Sequence, residues 1–198
     1  MSMNKILRRI IVFSMLFQLL IAFPVEVFAE SEDAIFAGGC FWCLEHDLEG
    51  LDGVVSAESG YSGGDLVNPT YDNHNGHQEV VKINFDPEVI SYKDLLKQYW
   101  INIDPFDDQG QFCDRGDSYK PVIFVSNKDQ ESIAIESKQS ISAELNTPLD
   151  QLKVDIIDSK PFWIAENYHQ DFAVKNPLKY NFYRKSCGRD NRLKKVWG

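Results

Sequence analysis

Two cysteines separated by two aromatic residues, Cys40 and Cys43, are the part of this sequence best suited to do chemistry. A short apolar run at 34–37 and two glycines precede them, and apolar residues recur at helical spacing from 41 to 51. Cys40 is therefore predicted on the first turn of a helix that follows a strand. Unpaired N–H groups and the positive end of the helix dipole favour a thiolate there. We therefore expect the pKa of Cys40 to lie below the usual ~8.5 and Cys40 to be a nucleophile.

A pair of cysteines at this spacing also permits other interpretations. It occurs in structural disulfides and as half of a zinc site. A general thiol–disulfide oxidoreductase would need only Cys40 and Cys43, without any acid or aromatic pocket. A zinc-binding module would use all four cysteines of the chain, Cys40, Cys43, Cys113 and Cys187.

The elements that must position these residues alternate along the chain. Strands are predicted at 34–37, 54–60, 79–85, 122–125 and 152–157, with helices at about 41–51, 92–103, 127–145 and 165–174. A turn is predicted at 161–163, and the residues from 180 onward show no clear periodicity. This order predicts a two-layer α/β plait of the α+β type, with a mixed sheet and a long C-terminal coil.

Two long polar loops interrupt this pattern, at 61–76 and 104–120. Both are rich in turn-forming residues, and loops of this length inside a small domain are usually functional. We therefore expect the two loops to face each other across a functional site.

Composition limits the classes of partner. The chain has 198 residues, of which 43% are hydrophobic, so a single domain with a sizeable core is expected. Its formal net charge is −10. An acidic protein repels phosphate backbones and anionic lipid, which argues against nucleic acid and membrane surfaces as partners of the mature protein.

Residues 1–29 have the pattern of a secretory signal peptide. Three basic residues precede an apolar run at 10–23, and the residues at positions 27 and 29 suit cleavage after Ala29. An uncleaved membrane anchor is the alternative, although the run is shorter than the ~20 residues that span a bilayer. We expect 30–198 to be the mature catalytic domain, in the periplasm or secreted.

The segment Gly-Gly-Cys-Phe-Trp-Cys-Leu-Glu at 38–45 resembles the active-site signature of the A-type methionine sulfoxide reductases, whose core is Gly-Cys-Phe-Trp. Other segments resemble family blocks, in the family's order: Gly-Tyr-Ser-Gly-Gly at 60–64, Asn-Pro-Thr-Tyr at 68–71, Gly-His-Gln-Glu at 76–79 and Ile-Asp-Pro at 103–105. The resemblance covers about 35–177 and implies an elaborated ferredoxin-like core. It implies thiol-dependent reduction of methionine S-sulfoxide, free or in oxidised proteins. No metal or organic cofactor is implied, the reductant is a thioredoxin-like thiol protein, and we expect a monomer.

The implied reaction needs a thiolate to attack the sulfoxide sulfur and an acid to protonate the oxygen. Glu79 lies between a glycine-rich loop and an apolar strand, where burial would raise the pKa of a carboxyl group and keep it protonated. The resemblance accordingly makes Cys40 the nucleophile and Glu79 the acid.

The resemblance also assigns the substrate pocket. Tyr71 and Tyr119 would hydrogen-bond the sulfoxide oxygen, and Asp114 would line the same pocket. Phe41 and Trp42 would enclose the substrate methyl group, because aromatic faces suit an apolar methyl and a polarizable sulfur. Four histidines have no role in this mechanism: His46, His74, His77 and His169. His169 could nevertheless brace the site.

The attack leaves Cys40 as a sulfenic acid, which a second thiol must convert to a disulfide. Many family members have glycine at the position of Cys43 and place resolving cysteines in a glycine-rich tail, so this chain departs from the common pattern. Cys43 is our first choice for the resolving cysteine, because its Cα distance from Cys40 in a first helical turn suits the ~4.4–6.8 Å of a disulfide. Cys187 is the second choice, but it could instead pair with Cys113 as a structural bridge in an oxidising compartment.

Overall fold

The computed structural model describes residues 30–198. The predicted signal peptide, 1–29, lies outside the described residues. The strands are β1 Glu32–Ala37, β2 Val54–Ser62, β3 Gln78–Phe85, β4 Gly110–Gln111, β5 Asp114–Arg115, β6 Val122–Val125, β7 Asp155–Asp158 and β8 Trp163–Ile164. The helices are α1 Phe41–Glu49, α2 Tyr92–Ile101, α3 Lys128–Glu144, α4 Phe172–Lys175, α5 Pro177–Ser186 and α6 Arg189–Trp197.

The main sheet has six strands in the order β7-β6-β1-β3-β2-β8. Only the β6–β7 pair is parallel, so the sheet is mixed, as predicted. Its centre, β6-β1-β3-β2, together with α1 after β1 and α2 after β3, is the split βαβ arrangement of the ferredoxin-like fold. The short strands β4 and β5 form a separate hairpin inside the second polar loop.

The core follows from the alternation of side chains along the strands. Phe36, Ile83 and Ile123 point to one face of the sheet and pack with apolar residues of α1, α2 and α3. The neighbouring positions, among them Ile35 and Val80, form a smaller cluster on the other face. Packing among the three helices and the sheet therefore holds α1, and with it Cys40, against the central strands.

The expected long C-terminal coil is wrong, because α5 and α6 occupy most of the chain beyond Asn176. Pro177 starts α5 at the position where proline is best tolerated in a helix. The inward side chains of these helices include Tyr180 and Arg189, which are buried although they are polar. Their apolar stripe is consequently weak, which is why periodicity did not indicate helices here.

The predicted helix at 165–174 is mostly wrong as well. Only Phe172–Lys175 is helical, and Trp163, expected in a turn, begins β8. Ala165 donates its backbone N–H to the Ser59 carbonyl of β2, so tertiary pairing with the sheet edge replaces local helix formation. Within 30–198, no helix has both the length and the apolar character required to cross a membrane.

Candidate active site

A turn of two glycines delivers Cys40 from the end of β1 to the N-cap of α1. A Cβ on Gly38 would lie 2.8 Å from Ile103 Cγ2, and one on Gly39 would lie 2.6 Å from the Gln111 Cβ. Gly39 also has a φ of +83°, which disfavours any residue with a side chain. Glycines are therefore required here for close packing, and the predicted strand-to-helix position of Cys40 is confirmed.

Glu79, near the start of β3, lies against the same helix terminus. Its side chain is 2% exposed, and its Oε2 accepts a hydrogen bond from the backbone N–H of Phe41 at 3.1 Å. Burial raises the pKa of Glu79 to about 8, and the charge of Asp114 adds to the rise, while hydrogen bonds from Phe41 and Tyr119 oppose it. Glu79 is therefore mostly protonated near neutral pH, as an acid catalyst requires.

The predicted pocket residues come together around Cys40. A cavity of about 50 Å³ is lined by Cys40, Phe41, Trp42, Tyr71, Glu79, Asp114, Tyr119 and Tyr183. Tyr71 comes from the first polar loop, and Asp114 and Tyr119 come from the second, so the two loops do face each other. Since a single buried water needs roughly 10–15 Å³ of such space, the cavity suits a small functional group such as a sulfoxide head.

A second cleft is larger, at about 620 Å³, and contains none of these residues. It lies between the start of β1, the start of α2 and the start of α3, where Glu32, Ser91 and Asp129 are among its lining residues. Choosing the candidate site by cavity volume alone would therefore select a cleft without the predicted site residues.

The expectation of a lowered pKa for Cys40 is wrong. Burial raises the pKa of the Cys40 thiol, and the hydrogen bond and charge of Cys43 and the charge of Glu79 add to that rise. A hydrogen bond with Tyr183 opposes them. Desolvation beside a second thiol and a carboxyl group therefore outweighs the effect of the helix terminus.

Cys43 shows the opposite behaviour. The hydrogen bond from Cys40 lowers the pKa of Cys43, burial opposes this, and the charges of Arg189 and Arg184 lower it further. Both thiols are free and buried. Of the two thiols, Cys43 is therefore the one with the lower pKa.

Sequence reasoning missed Tyr183, which lies on α5. Its hydroxyl donates to Asp114 Oδ2 at 2.5 Å. The same residue lines the pocket beside Cys40 and lowers the pKa of that thiol. Tyr183 therefore links Cys40 to a half-buried carboxyl group whose pKa is itself raised by burial. No local pattern marked Tyr183, since it lies in the region that showed no periodicity.

Trp42 is held in place by the segment that follows β8. Its indole N–H donates to His169 Nδ1 at 3.0 Å, and its ring stacks on Phe172 with centroids 3.7 Å apart. Burial lowers the pKa of His169, which keeps the imidazole neutral and able to accept this hydrogen bond. His169 thus braces one wall of the pocket.

A disulfide joins Cys113 to Cys187. Cys113 precedes Asp114, and Cys187 follows Tyr183 by one helical turn, its N–H donating to the Tyr183 carbonyl at 2.9 Å. The bond therefore ties together the two segments whose side chains meet beside Cys40. It also removes two of the four thiolates that the zinc-module alternative requires.

The family model described as peptide methionine sulfoxide reductase matches residues 32–198. Among curated proteins, peptide methionine sulfoxide reductase MsrA 2 of Caulobacter vibrioides is 48% identical over 179 residues, which is 88% of this chain and 90% of the relative. Peptide methionine sulfoxide reductase MsrA of Ligilactobacillus salivarius is 51% identical over 155 residues, 75% of this chain and 88% of the relative.

Solved structures agree with these matches. Reduced Mxr1 from Saccharomyces cerevisiae has a TM-score of 0.68 and 25% identity, covering 76% of this chain and 88% of that one. Methionine sulfoxide reductase A of Corynebacterium diphtheriae has a TM-score of 0.64 and 25% identity, covering 75% of this chain and 76% of that one. Together with the geometry around Cys40, these matches show that the chain belongs to the peptide methionine sulfoxide reductase family and reduces methionine S-sulfoxide to methionine at the expense of thiols.

Proposed function

We propose that Cys40 is the nucleophile of this reductase and that Glu79 is its general acid. The observation that carries this assignment is the hydrogen bond of 3.1 Å between Glu79 and the N–H of Phe41, the residue after Cys40. It holds a carboxyl group with a pKa of about 8 at the helix terminus where the thiol lies. An acid and a nucleophile are thereby placed at the same helix terminus, as attack on a sulfoxide group requires.

In the first step the Cys40 sulfur attacks the sulfoxide sulfur while Glu79 gives its proton to the sulfoxide oxygen. The attack forms a sulfur–sulfur bond. The oxygen is then transferred to the Cys40 sulfur, the sulfur–oxygen bond of the substrate and the new sulfur–sulfur bond break, and methionine leaves. The Cys40 thiol has given up its proton before the attack, and Glu79 takes up a new proton from solvent afterwards. One thiol and one sulfoxide thus become one sulfenic acid and one sulfide, with no other reactant.

The remaining pocket residues orient the substrate. Tyr71 and Tyr119 supply hydroxyl groups for the sulfoxide oxygen, and burial raises the pKa of both, so both remain protonated donors. Phe41 and Trp42 form the apolar wall for the methyl group. Asp114, through its hydrogen bond from Tyr183, holds a hydroxyl group beside the Cys40 sulfur.

Cys43 is proposed as the resolving cysteine. It is a free thiol in the helical turn that Cys40 begins, where its N–H donates to the Cys40 carbonyl at 3.1 Å. Interaction with Cys40 and the charges of two arginines lower its pKa. Its sulfur attacks the Cys40 sulfenic acid, a disulfide forms and water leaves. Cys187 is already bonded to Cys113, so its sulfur is not available for this step.

An external dithiol protein of the thioredoxin type is proposed to reduce the Cys40–Cys43 disulfide and complete the cycle. We also propose that the enzyme acts as a monomer. We further propose export to the periplasm or the medium after cleavage at Ala29. The leader pattern supports this, and so does the Cys113–Cys187 disulfide, because such bonds persist in oxidising compartments.

Disulfide mapping tests the proposed cycle. The reduced protein is exposed to one equivalent of methionine S-sulfoxide, blocked with a thiol reagent at low pH and digested. A Cys40–Cys43 link with one methionine released per enzyme is expected. A Cys40–Cys187 link, together with normal turnover of Cys43→Ser with a thioredoxin-type donor, would transfer the resolving role to Cys187.

N-terminal sequencing of the exported protein, expected to begin at Glu30, tests the localisation.

A further inference from the structure

We propose that Glu45 is a positioning residue that holds one wall of the substrate pocket in place, a role that rests on the proposed function of Cys40 and Glu79. Glu45 lies on α1, three residues after Trp42, and is 1% exposed. Its two carboxylate oxygens accept two backbone N–H groups from different parts of the chain. Oε1 accepts from Ser59 of β2 at 3.3 Å, and Oε2 accepts from Asp171 at 3.1 Å.

The segment 165–172 depends on such side-chain bonds because it is largely irregular. Asp171 has a left-handed backbone, with φ of +53°, and its own side chain does not cap α4. Beside Glu45, the side-chain amide of Gln170 accepts from Ser59 N at 3.0 Å and donates to the carbonyls of Ser59 at 2.9 Å and Ala165 at 3.0 Å. Glu45 and Gln170 together fasten the segment to α1 and β2.

The fastened segment supports the pocket at two points. His169 and Phe172 hold the indole of Trp42, by a hydrogen bond of 3.0 Å and by stacking at 3.7 Å. Glu166 accepts the backbone N–H of Tyr71 at 3.0 Å. A displacement of the segment would therefore move the methyl-binding wall and the tyrosine that faces the sulfoxide oxygen.

The charged form of Glu45 is unfavourable for the stability of the fold. Burial raises the pKa of Glu45 to about 7, and its acidic neighbours Glu49 and Asp171 oppose its charge rather than stabilise it. A buried acid without a basic partner is a poor choice for stability alone. It is, however, a suitable group for accepting two N–H donors at once, since a single amide oxygen cannot replace both carboxylate oxygens.

The test is the variant Glu45→Gln, which keeps the shape and removes one of the two acceptors. We expect KM for a methionine S-sulfoxide peptide to rise about tenfold, the size of effect that ~1.4 kcal/mol of lost binding produces. The value of kcat should change by less than about threefold, because the two hydrogen bonds of Glu45 reach Ser59 and Asp171 and involve neither Cys40 nor Glu79. The matched control is Glu49→Gln, one turn further along α1, whose side chain contacts His46; it should leave both constants unchanged.

Trp42 fluorescence gives a second readout. Glu45→Gln should shift the tryptophan emission, and the shift should be absent when the same change is made in a Trp42→Phe background. If Glu45→Gln fails to fold, Gln170→Met, at a half-buried position, loosens the same segment and should raise KM in the same way. Wild-type KM in the folded variants, or an equal rise in Glu49→Gln, would overturn the proposal. Failure of the proposed function has a different signature, namely a normal kcat in Glu79→Gln.

Discussion

The two sides of the substrate pocket are built in different ways. Cys40 and Glu79 sit on the sheet side, where β1, β3 and α1 are fixed by backbone ladders and by the common core. Trp42 and Tyr183 face them from a side completed by the segments from 165 onward, which contribute few strand contacts. The proposed reactive groups are thus placed by regular structure, while the opposite wall of the pocket is held by individual side-chain bonds.

The side of the pocket completed by residues from 165 onward, called the C-terminal side below, is held by hydrogen bonds, ion pairs and a disulfide. Arg184 pairs with Asp47 of α1 at 2.7 Å, and the buried Arg189 donates to the Asn102 carbonyl at 2.6 Å. The Cys113–Cys187 disulfide adds a covalent tie. Because polar ties depend on direction and partner, single substitutions on this side should alter binding and stability more selectively than substitutions in the sheet core.

The largest effect is expected on the sheet side, from Cys40→Ser. A serine hydroxyl is a far weaker nucleophile toward sulfur than a thiol, so methionine release should fall to the background of the assay. Epimer-resolved chromatography of methionine sulfoxide with dithiothreitol as reductant measures this. Cys43→Ser is the matched control: it should still release one methionine per enzyme in a single turnover. Substantial release by Cys40→Ser would disprove the assignment of the nucleophile.

Glu79→Gln should lower kcat by about 10², the usual size of a lost general acid. The pH dependence of kcat/KM is equally informative, in the wild type and in this variant. The active form of the wild type has lost one proton from the Cys40–Glu79 pair. Its kcat/KM should therefore rise with pH through about 8 and fall only at a pH above the ordinary range of a thiol pKa, when both groups are deprotonated. Glu79→Gln should lack the falling limb, because only the thiol then titrates. A falling limb that persists in this variant would place the acid elsewhere.

Tyr183→Phe tests the C-terminal side with a smaller expected effect. The hydrogen bond from Tyr183 lowers the pKa of Cys40, so its loss should raise that pKa further. A higher pKa leaves less thiolate, so the single-turnover rate near neutral pH should fall, by roughly tenfold if the lost interaction with the charged thiolate is worth about 1.5 kcal/mol. Tyr180→Phe, on the same helix, removes a hydroxyl that accepts from Arg184 and serves as control. If the inference is wrong, the pH dependence of Cys40 alkylation will give the same thiol pKa in Tyr183→Phe as in the wild type.

The double variant Cys113→Ser, Cys187→Ser should affect turnover least. With dithiothreitol as reductant its kcat should stay within about threefold of wild type, because Cys40 and Cys43 remain. Its stability should fall by about 4 kcal/mol, since the bond closes a loop with a sequence separation of 74 residues. Urea unfolding monitored by circular dichroism measures this. Complete loss of turnover with a thioredoxin-type donor would show that the pair belongs to the reductive cycle.

The sequence allowed the sheet side to be predicted well. The periodicities around 34–51 and 79–85 located Cys40 at a strand-to-helix turn and Glu79 at the start of a strand. These predictions succeeded because regular elements are encoded locally, by side-chain spacing and turn residues. The direction of the Cys40 pKa could not be predicted the same way, because burial depends on which distant groups cover the thiol.

The sequence by itself therefore identified the candidate reactive groups, the order of the main elements from β1 to β7 and the mixed α/β architecture. Only the tertiary structure decided that Tyr183 reaches Cys40, that Cys113 pairs with Cys187 and that Glu45 accepts N–H groups from two separate segments. Each of these contacts joins residues far apart in the chain and outside any periodic pattern. Hydrogen bonds and disulfides of this kind are decided by where the packed core brings the segments together, since no local propensity specifies their partners.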